Sequence, residues 1–423
     1  MELTNFFRPK NIALIGASDH HDKVGGVLMK KLQAFKGEVI PVNPKHSEIF
    51  GFKCYGSVGE YKGKIDLAII AIPSEFVPDS MKECGKRGIK EVIIVTAGFS
   101  EIGNFDGEKQ ILDIAEKYGI RFLGPNCFGV FNSSNKLDCT FSMATPGGGD
   151  IAFISQSGAL WSFISDFSIE KFGFSGFASL GNMADLDFFD FVEYFSKDVK
   201  TKSIVLYVEK LKEGKKFIDA CKKCKKPIFA VKSGTSKEGE KAAFSHTGSL
   251  ATDYEIYRGA FKQAGVELCS GLEEAFEKAC KMELVSAVRS KINIGNKVLI
   301  ITNAGGAGAL VSDYVSEKGI NLVNLNKLSN PWDLLGTAKS EDYKKALEIA
   351  DEKEIDSILV IVTPQSMTDL ENTAEVIVDF KNKSKKKVIG LFLGGKSVES
   401  SLDILKKNGI SCFANLSEFR FSF

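Results

Sequence analysis

Nine short runs of consecutive apolar residues punctuate the chain: "IALIGAS", "DLAIIAIPS", "EVIIVTAGF", "IAFISQSG", "SIVLYVE", "IFAVKSG", "VLIITNAGG", "ILVIVTPQ" and "VIGLFLGG". Each is apolar on both faces and most end in Gly, Ser or Pro, the pattern of a strand buried on both sides in a parallel sheet. Amphipathic helical stretches separate them. Strands alternating with helices imply right-handed crossovers, so the pattern predicts an α/β fold with doubly wound sheets.

Three of the runs head a longer repeat. "NIALIGASDHHDKVGGVLMKKL" (11–32), "DIAFISQSGALWSFISDF" (150–167) and "KVLIITNAGGAGALVSDYV" (297–315) share one layout of strand, small-residue turn and helix. Their spacing of about 140 residues is one domain each. The expectation is three consecutive Rossmann- or flavodoxin-like doubly wound parallel-sheet domains, residues 1–141, 142–290 and 291–423. Boundaries are expected near the Gly/Pro-rich "SMATPGGGD" (142–150) and the polar "VRSKINIGN" (288–296), and the ending "NLSEFRFSF" is read as a third domain cut short.

Composition narrows the class without naming a function. Of the 423 residues 44% are apolar and 26% charged, ordinary for a protein with sizeable cores. A net charge of +1 gives no bulk electrostatic case for nucleic acid or an anionic membrane. No apolar run approaches the ~18–20 residues of a membrane span, and the Met1 end shows no secretory h-region. Nine unframed cysteines, an odd number, suit reduced thiols, so a cytoplasmic location is expected. "CKKCKK" spaces Cys221 and Cys224 as C-x-x-C, but no second pair completes a zinc site and the segment reads as a Lys-rich solvated helix.

The repeated turns are the candidate chemistry. A tight turn opening a helix leaves backbone N–H groups unpaired at the positive end of the dipole, which suits an anion. The first turn has Gly16, Ala17 and Ser18 but lacks G-x-G-x-x-G, and Lys23 follows within reach of a phosphate. The next strand ends in "VIPVNPK", offering Asn43, Pro44 and Lys45 where an NAD site wants an acid for the ribose. That favours a nucleotide with an extra phosphate. The second turn places Ser155, Gln156, Ser157 and Gly158 at a strand–helix junction, able to hold phosphate without a lysine. The third, "NAGGAG", has neither cation nor hydroxyl and reads as packing. Of four histidines, His20, His21 and His46 read as surface residues. His246, in "FSHTGSLAT" (244–252), reads on its own as a polar residue at a helix start.

Taken in order, "ALIGAS", "VNPK", "AIPS", "AGFSE", "GPNCFG", "ISQSGAL", "SLGNMADLDF", "YVE", "KSGTSKEGEKAAFSHTGSLA", "AFKQAGV", "TNAGGAG", "DLLGTA" and "IVTPQSMTD" resemble the alpha subunit of NDP-forming acyl-CoA synthetases. These are the ADP-forming acetate–CoA ligases, relatives of the succinyl-CoA synthetase alpha subunit. The resemblance spans nearly the whole chain. It implies that His246 is a phosphohistidine and that Glu209, ending "LYVE", holds its imidazole. It also implies that phosphate sits at Ser155–Gly158. Coenzyme A would be bound by Gly16, Ala17, Ser18 and Lys23, by Asn43, Pro44 and Lys45, by Ile72, Pro73 and Ser74, and by Asn126 of "GPNCFG".

The implied reaction converts acyl-CoA, phosphate and ADP to carboxylic acid, ATP and CoA through an acyl-phosphate. No stretch remains for an ATP-grasp domain. ADP or ATP with Mg2+ would therefore sit on a separate ATP-grasp beta subunit, in a heterotetramer. Chemistry accepts these roles: a neutral imidazole is available near pH 7, and a carboxylate on its other nitrogen fixes the tautomer. The segment "SGTSKEGEKAAFSHTGS" suits a mobile arm, with Gly239 and Gly248 as bends. Two other readings stay open. An NAD-dependent oxidoreductase would explain the first repeat alone, and a non-enzymatic CoA-binding regulatory or scaffold protein would need neither His246 nor Glu209.

Overall fold

The computed structural model describes residues 3–241, 253–284, 291–323, 329–351 and 354–422. All nine apolar runs form strands, and they fall into three sheets. The first has five parallel strands in the order Glu38–Val42, Asn11–Ile15, Leu67–Ile70, Glu91–Ile94, Arg121–Leu123. The third has Asn321–Leu322, Lys297–Thr302, Ser357–Val362, Lys387–Phe392 and Ser411–Phe413, with Trp332–Asp333 also pairing to Lys297–Thr302, all parallel.

The second sheet has seven strands: Glu267–Leu268, Ile228–Lys232, Ser203–Val208, Gly148–Ser155, Phe174–Ser179, Val130–Asn132 and Leu137–Asp138. Its last two strands run antiparallel and extend one edge. They lie ahead of the Gly/Pro-rich stretch at 142–150, so residues 130–138 pair with the second sheet. Phe174–Ser179, "FSGFAS", was not among the apolar runs because small and hydroxyl residues break its pattern. It is nonetheless buried along its whole length, with Phe177 stacked on Trp161 at 4.0 Å and 6°.

The cores run across the sheets. One joins Leu14, Leu28 and Ile69 of the first unit to Ile154, Phe191 and Leu206 of the second. Another joins Phe153, Trp161 and Phe177 to Ile300, Leu310 and Leu359 of the third. Phe7 wedges the N-terminal turn against Tyr194, stacked at 4.6 Å, and Arg8 pairs with Asp198 at 2.8 Å. Fused cores fix how the sheets present their strand ends, which is what the site depends on. No helix among the described residues is long and apolar enough to cross a membrane.

Candidate active site

Strand order reverses once beside each repeat strand. In open α/β sheets such a reversal opens a crevice at the carboxyl ends of the strands, where ligands bind. The three crevices lie between Asn11–Ile15 and Leu67–Ile70, between Gly148–Ser155 and Ser203–Val208, and between Lys297–Thr302 and Ser357–Val362. Each is followed by one of the repeated turns.

In the first crevice Gly16 has φ +92°, and a Cβ there would stand 2.3 Å from the Ala71 carbonyl oxygen. Only glycine permits both the conformation and the approach. The polar side chains nearby hold backbone. Asn43 Nδ2 donates to the Ala17 carbonyl at 2.8 Å, and its Oδ1 accepts from Lys45 N at 2.9 Å. Ser18 Oγ accepts from His20 N at 3.1 Å. Lys23, Pro44 and Lys45 are exposed, and helix Val24–Leu32 begins without a side-chain cap, leaving its N–H end open. Ile72 and Ser74 are half-buried and Pro73 is exposed, just past the neighbouring strand.

The second crevice is tighter. Ser155 Oγ donates to the Ser157 carbonyl at 2.7 Å, so this hydroxyl shapes the turn. Gln156 Oε1 accepts from Glu209 N at 2.6 Å and Lys210 N at 2.8 Å, which fixes the orientation of its amide. That leaves Gln156 Nε2 buried without a partner, and Glu209 Oε1 is buried without one too. An unmatched buried polar atom costs about 1–3 kcal/mol, so the bare donor favours an incoming acceptor and the bare acceptor an incoming donor. Helix Ala159–Phe167 opens here with Gly158 and no side-chain cap.

The third turn does pack closely, as its sequence suggests. A Cβ on Gly306 would stand 2.5 Å from Ser157 Oγ, and Tyr207 OH donates to the Gly306 carbonyl at 3.1 Å. That contact has a second consequence. It sets the uncapped start of helix Gly305–Glu317 against the uncapped start of helix Ala159–Phe167. Two helix ends of about +0.5 charge each repel one another unless an anion lies between them.

One cavity of about 700 Å³ joins the three crevices. Of the residues singled out in the sequence, Ile72, Pro73, Asn126, Gln156, Ser157, Gly158 and Glu209 line it. Gly16 touches its wall through Ala71 and Ile72. Ala17, Ser18, Lys23, Asn43, Pro44, Lys45, Ser74 and Ser155 are not in its lining. His246 lies outside the described residues, as does Gly248. Sequence reading missed Thr96, Asn182, Asn303 and Gln365, which also line the cavity. Each stands in or near a quoted motif ("AGFSE", "SLGNMAD", "TNAGG", "TPQ"), and the signal available was its place just beyond a strand or in a loop between elements.

The charges around Glu209 are shielded from water. Lys232, 8% exposed, is drawn down to about 8 by burial, against the opposing pull of Asp313 and Glu209. Lys210, beside Glu209, is lowered by burial and then by Lys212. Burial, then the nearby Glu209, holds Tyr207 well above its ordinary range. Asp313, from the third unit, accepts from Gly234 N at 2.8 Å, Thr235 N at 3.0 Å and Ser236 N at 2.9 Å. It thereby clamps the described start of "SGTSKEGEK" (233–241).

Comparison with known proteins bears on this geometry. Residues 10–133 match the family model of a CoA binding domain, and 148–281 that of a succinyl-CoA ligase like flavodoxin domain. The chain is 40% identical to an ADP-forming acetate–CoA ligase II subunit alpha of Pyrococcus furiosus, over 97% of this chain and 94% of that one. It is 42% identical to an ADP-forming acetate–CoA ligase of Methanocaldococcus jannaschii, over 97% of this chain but 61% of that longer one. An acetyl-coenzyme A synthetase 1 of Ca. Korarchaeum cryptofilum, solved with phosphate and ADP, superposes with a TM-score of 0.65 at 33% identity, covering 100% of this chain and 95% of that one.

Proposed function

The chain belongs to the family of ADP-forming acetate–CoA ligase alpha subunits, and from that premise we propose that it interconverts acyl-CoA, phosphate and ADP with carboxylic acid, ATP and CoA. The nucleotide step would take place on a partner, an ATP-grasp beta subunit holding ADP or ATP with Mg2+, assembled with this chain into a heterotetramer in the cytoplasm. The observation that carries the reading is the bare pair at the second crevice, Gln156 Nε2 and Glu209 Oε1, beneath two facing helix starts. A phosphate oxygen accepts from the amide, and an imidazole N–H donates to the carboxylate.

In the forward direction CoA lies along the first crevice. Its phosphates meet the open helix start at Val24 and the exposed Lys23 and Lys45, and its thiol end passes Ile72, Pro73 and Asn126 into the cavity. Phosphate, held by Gln156 and the N–H groups of Ser157 and Gly158, attacks the thioester carbonyl. The C–S bond breaks, the thiolate takes up a proton to leave as CoA, and an acyl-phosphate remains. His246 then attacks phosphorus and the carboxylate leaves. Glu209 holds the opposite ring N–H, fixes the tautomer and stabilises the cation. The helix ends supply charge stabilisation for the transferring phosphoryl group without a lysine. The phosphohistidine finally passes its phosphoryl group to ADP on the partner.

Incubation of the chain and its beta subunit with γ-labelled ATP tests the reading. Acid-labile, base-stable label is expected on the alpha chain and is expected to vanish in His246→Ala. Label that survives the substitution would overturn the assignment. CoA binding with no label and no thioester turnover would leave a binding or scaffold protein instead.

A further inference from the structure

We propose that the acyl group rests on a wall of two phenyl rings, Phe128 and Phe141, which selects compact, uncharged acyl groups. This rests on the reaction proposed above and assigns the part of the cavity that reaction leaves unassigned. The acyl carbon is joined through one oxygen to phosphorus, so a phosphate at Gln156–Gly158 starts the acyl tail beside Gly158. Phe128 is what lies there: a Cβ on Gly158 would stand 2.5 Å from its Cβ and 2.7 Å from its Cδ2. The Phe141 ring lies against Phe128 with centroids 3.7 Å apart and planes tilted 37°. Both line the cavity, with Val95 and Cys127 beside them.

The wall is fixed from two sides. Phe128 is 4% exposed, and its N–H donates to Ser179 Oγ at 2.8 Å. The Phe141 carbonyl accepts from Ser366 N at 3.1 Å, Met143 N donates to the Pro364 carbonyl at 3.1 Å, and Ser366 Oγ donates to the Ser142 carbonyl at 2.9 Å. Those bonds stitch the backbone of the segment bearing Phe141 to the third unit, and the ring itself is held by its packing against Phe128. A rigid wall discriminates by size. Charge discriminates as well, because the charged lining residues are Glu101, Glu209 and Asp333 against Lys210. A second carboxylate on the acyl tail would be desolvated among like charges, which is costly.

The test measures kcat/KM in the synthesis direction with the beta subunit present. ATP, CoA and acid give ADP, phosphate and acyl-CoA, and the acids are acetate, butyrate, phenylacetate and succinate. Wild type is expected to use succinate at least ~10-fold less well than butyrate, and Phe141→Ala to raise the phenylacetate-to-acetate ratio by ~10-fold or more. Phe141→Leu, which keeps an apolar side chain against Phe128, is expected between the two, with KM for CoA unmoved in both variants. A ratio unchanged in both variants overturns the wall, as does an equal loss across all acids. Succinate matching butyrate overturns the charge selection. Wild type inert toward every acid would instead sink the proposed reaction, and this inference with it.

Discussion

The first and second repeated turns share a layout and differ in where their polar groups go. At the first, Ser18 bonds to backbone within its own turn, Asn43 bonds to backbone of that turn and of its own loop, and Lys23 and Lys45 stay exposed. At the second, Gln156 and Glu209 are buried, and each keeps one polar atom bare. The first is therefore a shaped surface, whose side chains hold the backbone that the proposed CoA would meet. The second is a primed interior, where desolvated groups await a partner. In the proposed reaction one supersecondary unit thus serves affinity when its side chains are satisfied, and chemistry when they are not.

Opposite kinetic signatures would sharpen that contrast. The largest expected effect is at the second turn. Glu209→Gln keeps the shape but replaces the acceptor charge, and is expected to slow phosphohistidine formation by ~100-fold or more, with CoA affinity unchanged. Rapid-quench labelling beside CoA titration checks it, and a loss of CoA affinity of the same size would erase the distinction. The next effect is at the first turn. Asn43→Ala frees the Ala17 carbonyl and the Lys45 N–H, and is expected to raise KM for CoA by roughly tenfold, the worth of one or two hydrogen bonds, with kcat far less affected. A fall in kcat with KM unmoved would show that the first turn also acts on the chemistry.

How much of this was legible in the sequence depends on range. The nine strands and the three turns follow from local apolar runs, because a strand buried on both faces must be apolar throughout. The antiparallel edge at 130–138 was not legible, since short strands pair by tertiary contact and carry little pattern of their own. At the site, Gln156 and Glu209 stand together because two strands adjoin at a reversal of order, and that adjacency is non-local. The resemblance named both residues, but nothing in "SQSG" tells that the Gln156 Oε1 accepts from the backbone at 209 and 210. The meeting of the second and third turns was likewise invisible: "NAGGAG" reads as packing, and only the approach of Gly306 to Ser157 makes it part of the site.

The smallest expected effect concerns the cation behind the second turn, and it probes whether that turn's interior is truly dry. Lys232 faces Asp313, Glu209 and Glu240, and its ammonium lies 4.6 Å from the centre of the Tyr257 ring. Burial lowers it from 10.5 to about 8. Below that value both folded and unfolded chains hold the proton, and the folded state bears the full cost of the buried charge. Between about 8 and 10.5 the unfolded chain keeps its proton while the folded one has lost it, so this residue's contribution to stability rises with pH. The whole protein is a poor readout, because buried thiols such as Cys221, raised to about 12, oppose the trend. The difference between wild type and Lys232→Met isolates it. From pH ~7.5 to ~9.5 that difference in unfolding free energy is expected to shift toward wild type by about 1–2 kcal/mol, measured by urea denaturation at each pH. A flat difference would mean that the ammonium is fully solvated or fully paired, and the second turn would then resemble the first more closely than its bare polar atoms suggest.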